Sequence, residues 1–135
     1  MTEMKEFDDW NEVKKKANND NKLVGFRNRD IFYMKMGENI GFEQNGKGEN
    51  FVRPIIILKK FNKDMFFGIP LSTKLKCGSF YYEFSFTKRN GEKMTNIALL
   101  SQMKLYSSKR LLNQIGTMNK NDFEKMKVSF KCLLD

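Results

Sequence analysis

From residue 30 onward the chain consists of short runs of β-branched and aromatic residues, separated by stretches rich in glycine, asparagine and charged side chains. Residues of these types favour strands, because they pack well on a pleated surface. Several short strands at such spacing predict a small antiparallel barrel or sandwich. The runs predicted as strands are residues 31–36, 54–59, 65–71, 80–86 and 96–100.

Helical patterns flank these runs. Residues 107–112 are predicted to begin a short helix, and Asn119 is predicted to cap a longer one. We divide the chain into a helical extension with its linker, residues 1–28, and one core domain, residues 29–135. The extension is predicted to form an amphipathic helix, because apolar residues recur at steps of three and four: Phe7, Trp10, Val13 and Ala17.

Two connectors between the predicted strands have distinct patterns. Residues 37–52 form the longest one and contain four glycines, which predicts a loop. Residues 88–91 read Lys-Arg-Asn-Gly and predict a turn, because an Asn-Gly pair tolerates positive φ. Long loops in small domains often carry function, so residues 37–52 and the loops near Lys74 and Lys88 are candidate functional loops.

The positive charge of the chain belongs to its core. Of 25 basic and 16 acidic residues, six of each lie in residues 1–28, so residues 29–135 carry the whole net charge of +9. Such an excess attracts polyanions, either nucleic acid or an acidic protein segment.

The chain contains no histidine. Because histidine is the side chain whose unperturbed pKa suits acid/base catalysis near neutral pH, any hydrolase with this sequence must work without it. Ser-His-Asp, Cys-His and paired-imidazole mechanisms are therefore excluded. The two cysteines, Cys77 and Cys132, indicate neither a disulfide framework nor a zinc site, and we expect no metal or cofactor.

Membrane and secretion signals are not apparent in the sequence. No apolar run approaches the roughly 18 residues that a membrane-spanning helix needs, and the first ten residues are acidic and polar. We therefore expect a cytoplasmic protein that is not bound to a membrane.

Several short motifs follow one another in the core. They are Gly-Phe-Glu-Gln at residues 41–44, Arg-Pro before an aliphatic run at 53–58, Ile-Pro-Leu-Ser at 69–72, Leu-Leu-Ser-Gln at 99–102, and a closing Lys-Arg-Leu to Phe-Glu-Lys segment at 109–125. In this order they resemble the MazF/PemK family of toxins, and the resemblance covers about residues 29 to 135.

The resemblance implies a mainly β fold, namely a small, strongly bent antiparallel β-barrel of the MazF/PemK/CcdB type with C-terminal helices, to which residues 1–28 add an N-terminal helix. It also implies a homodimer that acts as the toxin of a toxin-antitoxin system and cleaves single-stranded RNA as an endoribonuclease (mRNA interferase). The expected antitoxin partner would lay an acidic, disordered segment across the basic groove, fold on it and block RNA.

The resemblance further assigns the site residues. Arg53 and Ser72 are the expected catalytic residues, with Arg53 stabilising the charge on the phosphate and Ser72 supplying a hydroxyl. Ser72 stands where the family usually has threonine, so whether Ser72 or Thr73 takes this role stays open, as does the group that removes the 2′ proton. The expected RNA-binding residues are Glu43, Gln44, Thr73, Lys74 and Gln102.

Two alternatives of other classes remain open at this stage. One is a toxin of the same fold that poisons DNA gyrase by binding, and the other is a silent relative that binds nucleic acid without cutting it. A fold by itself does not separate these functions. The pairing of Arg53 with the hydroxyl of Ser72 favours the nuclease.

Overall fold

A computed structural model describes residues 24–36 and 52–135 of the chain. The predicted N-terminal helix lies outside the described residues, and so does the predicted loop 37–52 except for its last residue. Within the described ranges the protein is mostly β: seven strands form a curled antiparallel sheet, and one α-helix follows them. The elements are β1 (Asp30–Lys35), β2 (Val52–Lys60), β3 (Met65–Ser72), β4 (Tyr81–Thr87), β5 (Lys93–Leu99), β6 (Lys104–Ser107), β7 (Leu111–Thr117) and α1 (Lys120–Cys132).

The sheet is a half-barrel in which β3 is the shared strand. Its neighbours run in the order β4, β5, β3, β2, β1, β7, and β6 pairs with the first half of β3. β3 therefore pairs with β6 over Met65 to Gly68 and with β5 at Leu71 and Ser72. This change of partner bends the sheet and brings β5 next to the end of β3.

The five runs predicted as strands are confirmed, but the helix predicted at residues 107–112 is wrong. Ser108–Arg110 forms a short 3-10 turn, and Leu111 begins β7. β7 pairs with β1, with Leu111 opposite Met34 and Gly116 opposite Ile31. The pairing of β7 with β1 thus outweighs the local helical pattern of residues 107–112.

Side chains of β1 and β2 are buried on both faces of the sheet. On one face Ile31 and Ile56 pack in a cluster with Phe86 and with α1. On the other face Phe32 and Ile55 pack around Phe66. The sheet is therefore an inner layer of the core over these strands, which explains their nearly continuous apolar sequence.

The single α-helix of the described residues begins where the sequence predicts. Asn119 caps α1 by accepting a hydrogen bond of 2.7 Å from the Asp122 backbone N–H. Phe123 and Met126 are buried against the sheet. The phenol of Tyr82 on β4 donates to Asp122 at 2.8 Å, so a polar contact joins the helix to the sheet.

The turn predicted at residues 88–91 is confirmed. Gly91 has a φ of 91° and donates its backbone N–H to the Lys88 carbonyl at 2.9 Å. The left-handed backbone at this position is one that glycine adopts without strain. The turn joins β4 to β5 and so sets the register of the strand pair that approaches the end of β3.

Candidate active site

The last residues of β3 bring together the motifs that lie on β2 and β3. Ile56 pairs with Ile69 and Ile55 with Pro70, and continuing this register by two residues sets Arg53 opposite Ser72. On the other side of β3, Ser72 pairs with Ile97 of β5. Three neighbouring strands therefore meet at Ser72, because β3 changes its partner here.

Arg53 is a buried cation at the place where the β2–β3 ladder stops. Its side chain is 5% exposed, and Nη1 donates to the Leu71 carbonyl oxygen at 3.3 Å. Burial lowers the pKa of the guanidinium from its ordinary value. Because an arginine pKa lies so far above neutrality, the side chain stays charged, and its charge acts in a partly desolvated setting where electrostatic interactions are stronger.

Ser72 is buried beside it, with an exposed fraction of 4%. Its Oγ accepts a hydrogen bond of 3.2 Å from the backbone N–H of Lys74. A hydroxyl that accepts in this way keeps its own proton as a donor. The short hydrogen-bonded turn over Ser72 to Lys74 holds Oγ in place, while the next two residues, Thr73 and Lys74, are exposed.

A cavity of about 290 Å³ opens at this end of β3. Its walls are mainly apolar and include two aromatic rings, those of Tyr33 and Phe86. A cavity of this size can take a small organic group, such as one nucleobase. The lining residues are Tyr33, Val52, Arg53, Pro54, Leu71, Ser72, Thr73, Phe86, Met94, Asn96 and Ile115.

Three of the site residues predicted from the sequence lie together in the structure, because Arg53, Ser72 and Thr73 all line this cavity. Lys74 follows them on the exposed side and is not part of the lining. Gln102 ends a 3-10 turn after β5 and also lies outside the lining. Glu43 and Gln44 lie outside the described residues.

Asn96 on β5 is a further polar residue of the cavity, and the sequence analysis missed it. It is 2% exposed and shares its face of β5 with the buried Ala98, next to Phe84 across the strand pair. Its Oδ1 atom is fully buried and has no hydrogen-bond partner among the described residues. The only signal in the sequence is a polar residue that opens an otherwise apolar run, Asn-Ile-Ala-Leu-Leu.

Residues 24–36 and 52–135 contain no group of three acidic or cysteine side chains arranged to hold a metal ion. Over the same ranges no helix is both long and apolar enough to cross a membrane.

One protein family matches most of the described chain. Residues 27–134 match the family described as PemK-like, MazF-like toxin of type II toxin-antitoxin system. No curated protein sequence matches the chain.

Several solved structures have a similar fold. The Mycobacterium tuberculosis toxin MazF-mt6 is 13% identical with a TM-score of 0.60, over 79% of this chain and 97% of that one. MazF from Deinococcus radiodurans is 14% identical with a TM-score of 0.59, over 82% and 97%. An endoribonuclease from a mycobacterial species is 8% identical with a TM-score of 0.57, over 84% and 95%. At such identities the likeness is one of fold.

Proposed function

The chain belongs to the PemK-like, MazF-like family of toxins of type II toxin-antitoxin systems, and from this premise we propose that it is an endoribonuclease that cuts single-stranded RNA. The reaction is attack of a ribose 2′-hydroxyl on the adjacent phosphorus. The products are a 2′,3′-cyclic phosphate and a 5′-hydroxyl end. Because the substrate supplies the nucleophile, the protein must orient the attack and stabilise charge, and the reaction needs neither histidine nor a metal ion.

Arg53 is the residue that stabilises the transition state in this proposal. Negative charge accumulates on the phosphate oxygens as the pentavalent species forms, and a planar guanidinium can hold two of these oxygens. A guanidinium carries five N–H donors, so Arg53 can bind the Leu71 carbonyl and a phosphate oxygen at the same time. The observation that carries the proposal is this buried cation opposite the hydroxyl of Ser72 at the cavity wall.

Ser72 contributes the second polar contact. Its Oγ accepts from the Lys74 backbone, so its proton is directed to a donor role, and a non-bridging phosphate oxygen is the acceptor within the site. Arg53 also donates a hydrogen bond to the leaving 5′-oxygen; the 2′-hydroxyl loses one proton to water and the 5′-oxygen gains one from water, so the protons balance and the guanidinium stays charged. Glu43, Gln44, Thr73, Lys74 and Gln102 are proposed RNA-binding residues around this centre.

Single-stranded RNA is the proposed substrate for two reasons. Bases that are not stacked in a duplex can enter a cavity walled by aromatic and aliphatic side chains, such as the one beside Tyr33 and Phe86. The chemistry requires a 2′-hydroxyl, so DNA is bound but stays intact. The net charge of +9 attracts the phosphate backbone.

The proposed partners follow from the family and the charge. A cognate antitoxin with an acidic segment binds the same basic surface and excludes RNA. The toxin forms a homodimer and acts in the cytoplasm, where its RNA substrate is present. Residues 29–135 are the catalytic core in this proposal, and residues 1–28 are an extension of it.

A gyrase poison and a silent nucleic-acid binder remain the competing functions for this fold. Both act by binding alone, so neither needs a buried arginine and a buried hydroxyl at one cavity wall. The Arg53 and Ser72 arrangement favours the nuclease over them.

The test is incubation of the purified protein with a long single-stranded RNA in EDTA, with the product ends mapped. The wild type is expected to leave cyclic-phosphate ends, and Arg53→Ala is expected not to cut. Arg27→Ala removes the same charge from an exposed position outside the cavity and should cut like the wild type. If the wild type leaves RNAs of varied sequence intact, the nuclease proposal is wrong, and a supercoiling assay then tests the gyrase poison.

A further inference from the structure

The buried amide of Asn96 lines the cavity at the end of β3. Its Oδ1 atom has no hydrogen-bond partner among the described residues, although the side chain is 2% exposed. Leaving a buried acceptor without a partner is unfavourable, and most buried polar side chains in folded proteins have one. A leucine, which is similar in size, would avoid this penalty at the same place. An unsatisfied acceptor at a cavity wall therefore points to a donor that a ligand supplies.

The surroundings of Asn96 define the ligand chemistry. The cavity is lined by the apolar and aromatic side chains of Tyr33, Phe86, Met94 and Ile115, which suit a flat apolar group. The same cavity is lined by Arg53 and Ser72, which suit an anion. A flat ring with a donor on its edge and a phosphate close by is a nucleotide. The cavity volume of about 290 Å³ is enough for one base.

We propose that this cavity is a nucleobase subsite, and that Asn96 Oδ1 accepts a hydrogen bond from the exocyclic amine of the bound base. The inference rests on the proposed ribonuclease function and adds one specificity-determining residue to it. Adenine, cytosine and guanine carry an exocyclic amine, whereas uracil does not. The subsite therefore accepts these three bases and discriminates against uracil.

The recessed position of the acceptor explains why an amine fits and a ring N–H does not. Oδ1 lies behind the cavity surface, out of contact with solvent. A donor therefore reaches Oδ1 only when a side chain of the cavity wall moves aside on binding, and an exocyclic amine, which projects from the ring, needs the smallest such movement. The ring N–H of uracil lies between two carbonyl oxygens, which would be brought against Oδ1 without a donor of their own.

The experiment compares Asn96→Leu with the wild type on short RNAs that differ by one base at each position around the cut. The wild type is expected to discriminate against uracil at one position, and Asn96→Leu to lose that discrimination by about tenfold or more in kcat/KM. Thr95→Val is the matched control, because Thr95 is the neighbouring exposed residue on β5 and bonds to Ser85 rather than lining the cavity. It should keep the wild-type preference.

A stability measurement separates this role from a structural one. If Asn96 acts on the base, Asn96→Leu melts at or above the wild-type temperature, because the substitution removes a buried acceptor without a partner. A structural asparagine would instead lower the melting temperature and reduce cleavage equally at all sequences, which would overturn the inference. If the leucine variant does not fold, Asn96→Ser is compared with the wild type in the same assay of base preference, because serine also removes the amide from the cavity.

Binding of 2′-O-methyl RNA distinguishes failure of the inference from failure of the proposed function. Such RNA cannot be cut, because it lacks the free 2′-hydroxyl. If the wild type cuts RNA and Asn96→Leu keeps every base preference, the subsite is wrong and the nuclease stands. If the wild type cuts no RNA but binds 2′-O-methyl oligonucleotides with a preference that Asn96→Leu loses, the nuclease is wrong and the subsite stands. Equal affinity of both proteins for all bases overturns the subsite in either case.

Discussion

Arg53 Nη1 donates to the Leu71 carbonyl at 3.3 Å, immediately beyond the last backbone pair of β2 and β3. The guanidinium thus continues the sheet by one side-chain hydrogen bond and is held at the cavity wall. Lysine at this position would keep the charge but would lose the planar fork. The geometry of Arg53, as well as its charge, therefore matters for the proposed reaction.

We expect Arg53→Lys to lower kcat/KM for RNA cleavage by about 10²–10³-fold, the range seen when a transition-state donor is removed. Affinity for 2′-O-methyl RNA should change little, because the charge is kept. Cleavage kinetics and fluorescence anisotropy measure the two quantities. A lysine variant that cuts RNA at the wild-type rate would show that charge alone is sufficient.

The hydroxyl of Ser72 is expected to matter more than that of Thr73. Ser72 is buried beside Arg53, whereas Thr73 is exposed at the cavity rim. Ser72→Ala should lower the cleavage rate by about 10²-fold, and Thr73→Ala should lower it much less. Ser72→Thr keeps a hydroxyl and serves as the conservative control. If Thr73→Ala lowered the single-turnover cleavage rate more than Ser72→Ala did, the catalytic hydroxyl would be that of Thr73.

Because Tyr82 contacts Asp122, we expect the free energy of unfolding to change with pH in the alkaline range. Burial, followed by the hydrogen bond to Asp122 and the charge of that carboxylate, raises the pKa of Tyr82 to about 12. The unfolded chain releases this proton near pH 10, so the folded state binds it more tightly. The stabilisation is fully present below about pH 10 and is lost as the pH rises toward 12.

Tyr82→Phe should lower the free energy of unfolding at pH 7 by about 1 kcal/mol, the usual contribution of one hydrogen bond. The difference between variant and wild type should shrink between pH 10 and 12, since the wild type loses the contact there. Urea unfolding across this range measures both effects. Parallel curves for the two proteins would mean that the phenol proton does not contribute.

The absence of a side chain at Gly116 allows β7 to pass close to β4. A Cβ at this position would lie 2.6 Å from Phe86 Cδ2 and 3.3 Å from the Thr87 carbonyl oxygen. Gly116→Ala should therefore destabilise the fold by about 1–3 kcal/mol, the usual effect of overpacking. Because Phe86 also lines the cavity, RNA cleavage should fall as well.

Gly25→Ala is the matched control for this substitution. A Cβ at Gly25 would meet no described atom within 4 Å, so its melting temperature should stay close to that of the wild type. Differential scanning calorimetry of both variants decides the question. Equal melting temperatures would show that Phe86 can move aside without loss.

Much of the sheet could be predicted from the sequence, because its strands carry strong local signals. Ile55, Ile56 and Ile57 form a β-branched run that is buried on both faces. Asn119 has a side chain suited to cap a helix, and it caps the N-terminus of α1. The start of β7 could not be predicted, because Leu111 becomes a strand residue through its pairing with Met34, which is distant in sequence.

The site was predictable only in part for a similar reason. Arg53 and Ser72 belong to motifs that can be read along the chain. Asn96 belongs to the cavity only because β3 exchanges β6 for β5 at its end. No local pattern at Asn96 encodes that exchange, so the place of Asn96 in the cavity follows from the topology alone.

The pairing of β1 with β7 has a consequence for how the protein is made. Asp30 and Thr117 are 87 residues apart, yet their side chains are joined by a hydrogen bond. On the ribosome, β1 emerges long before its partner, and contacts of such high separation form late. The edge of β1 that faces β7 thus stays unpaired until β7 has been synthesised, and a chain cut short before β7 lacks the strand that completes the sheet beside β1 and β2, where Arg53 lies. We therefore expect the proposed nuclease activity to appear only after β7 has been synthesised.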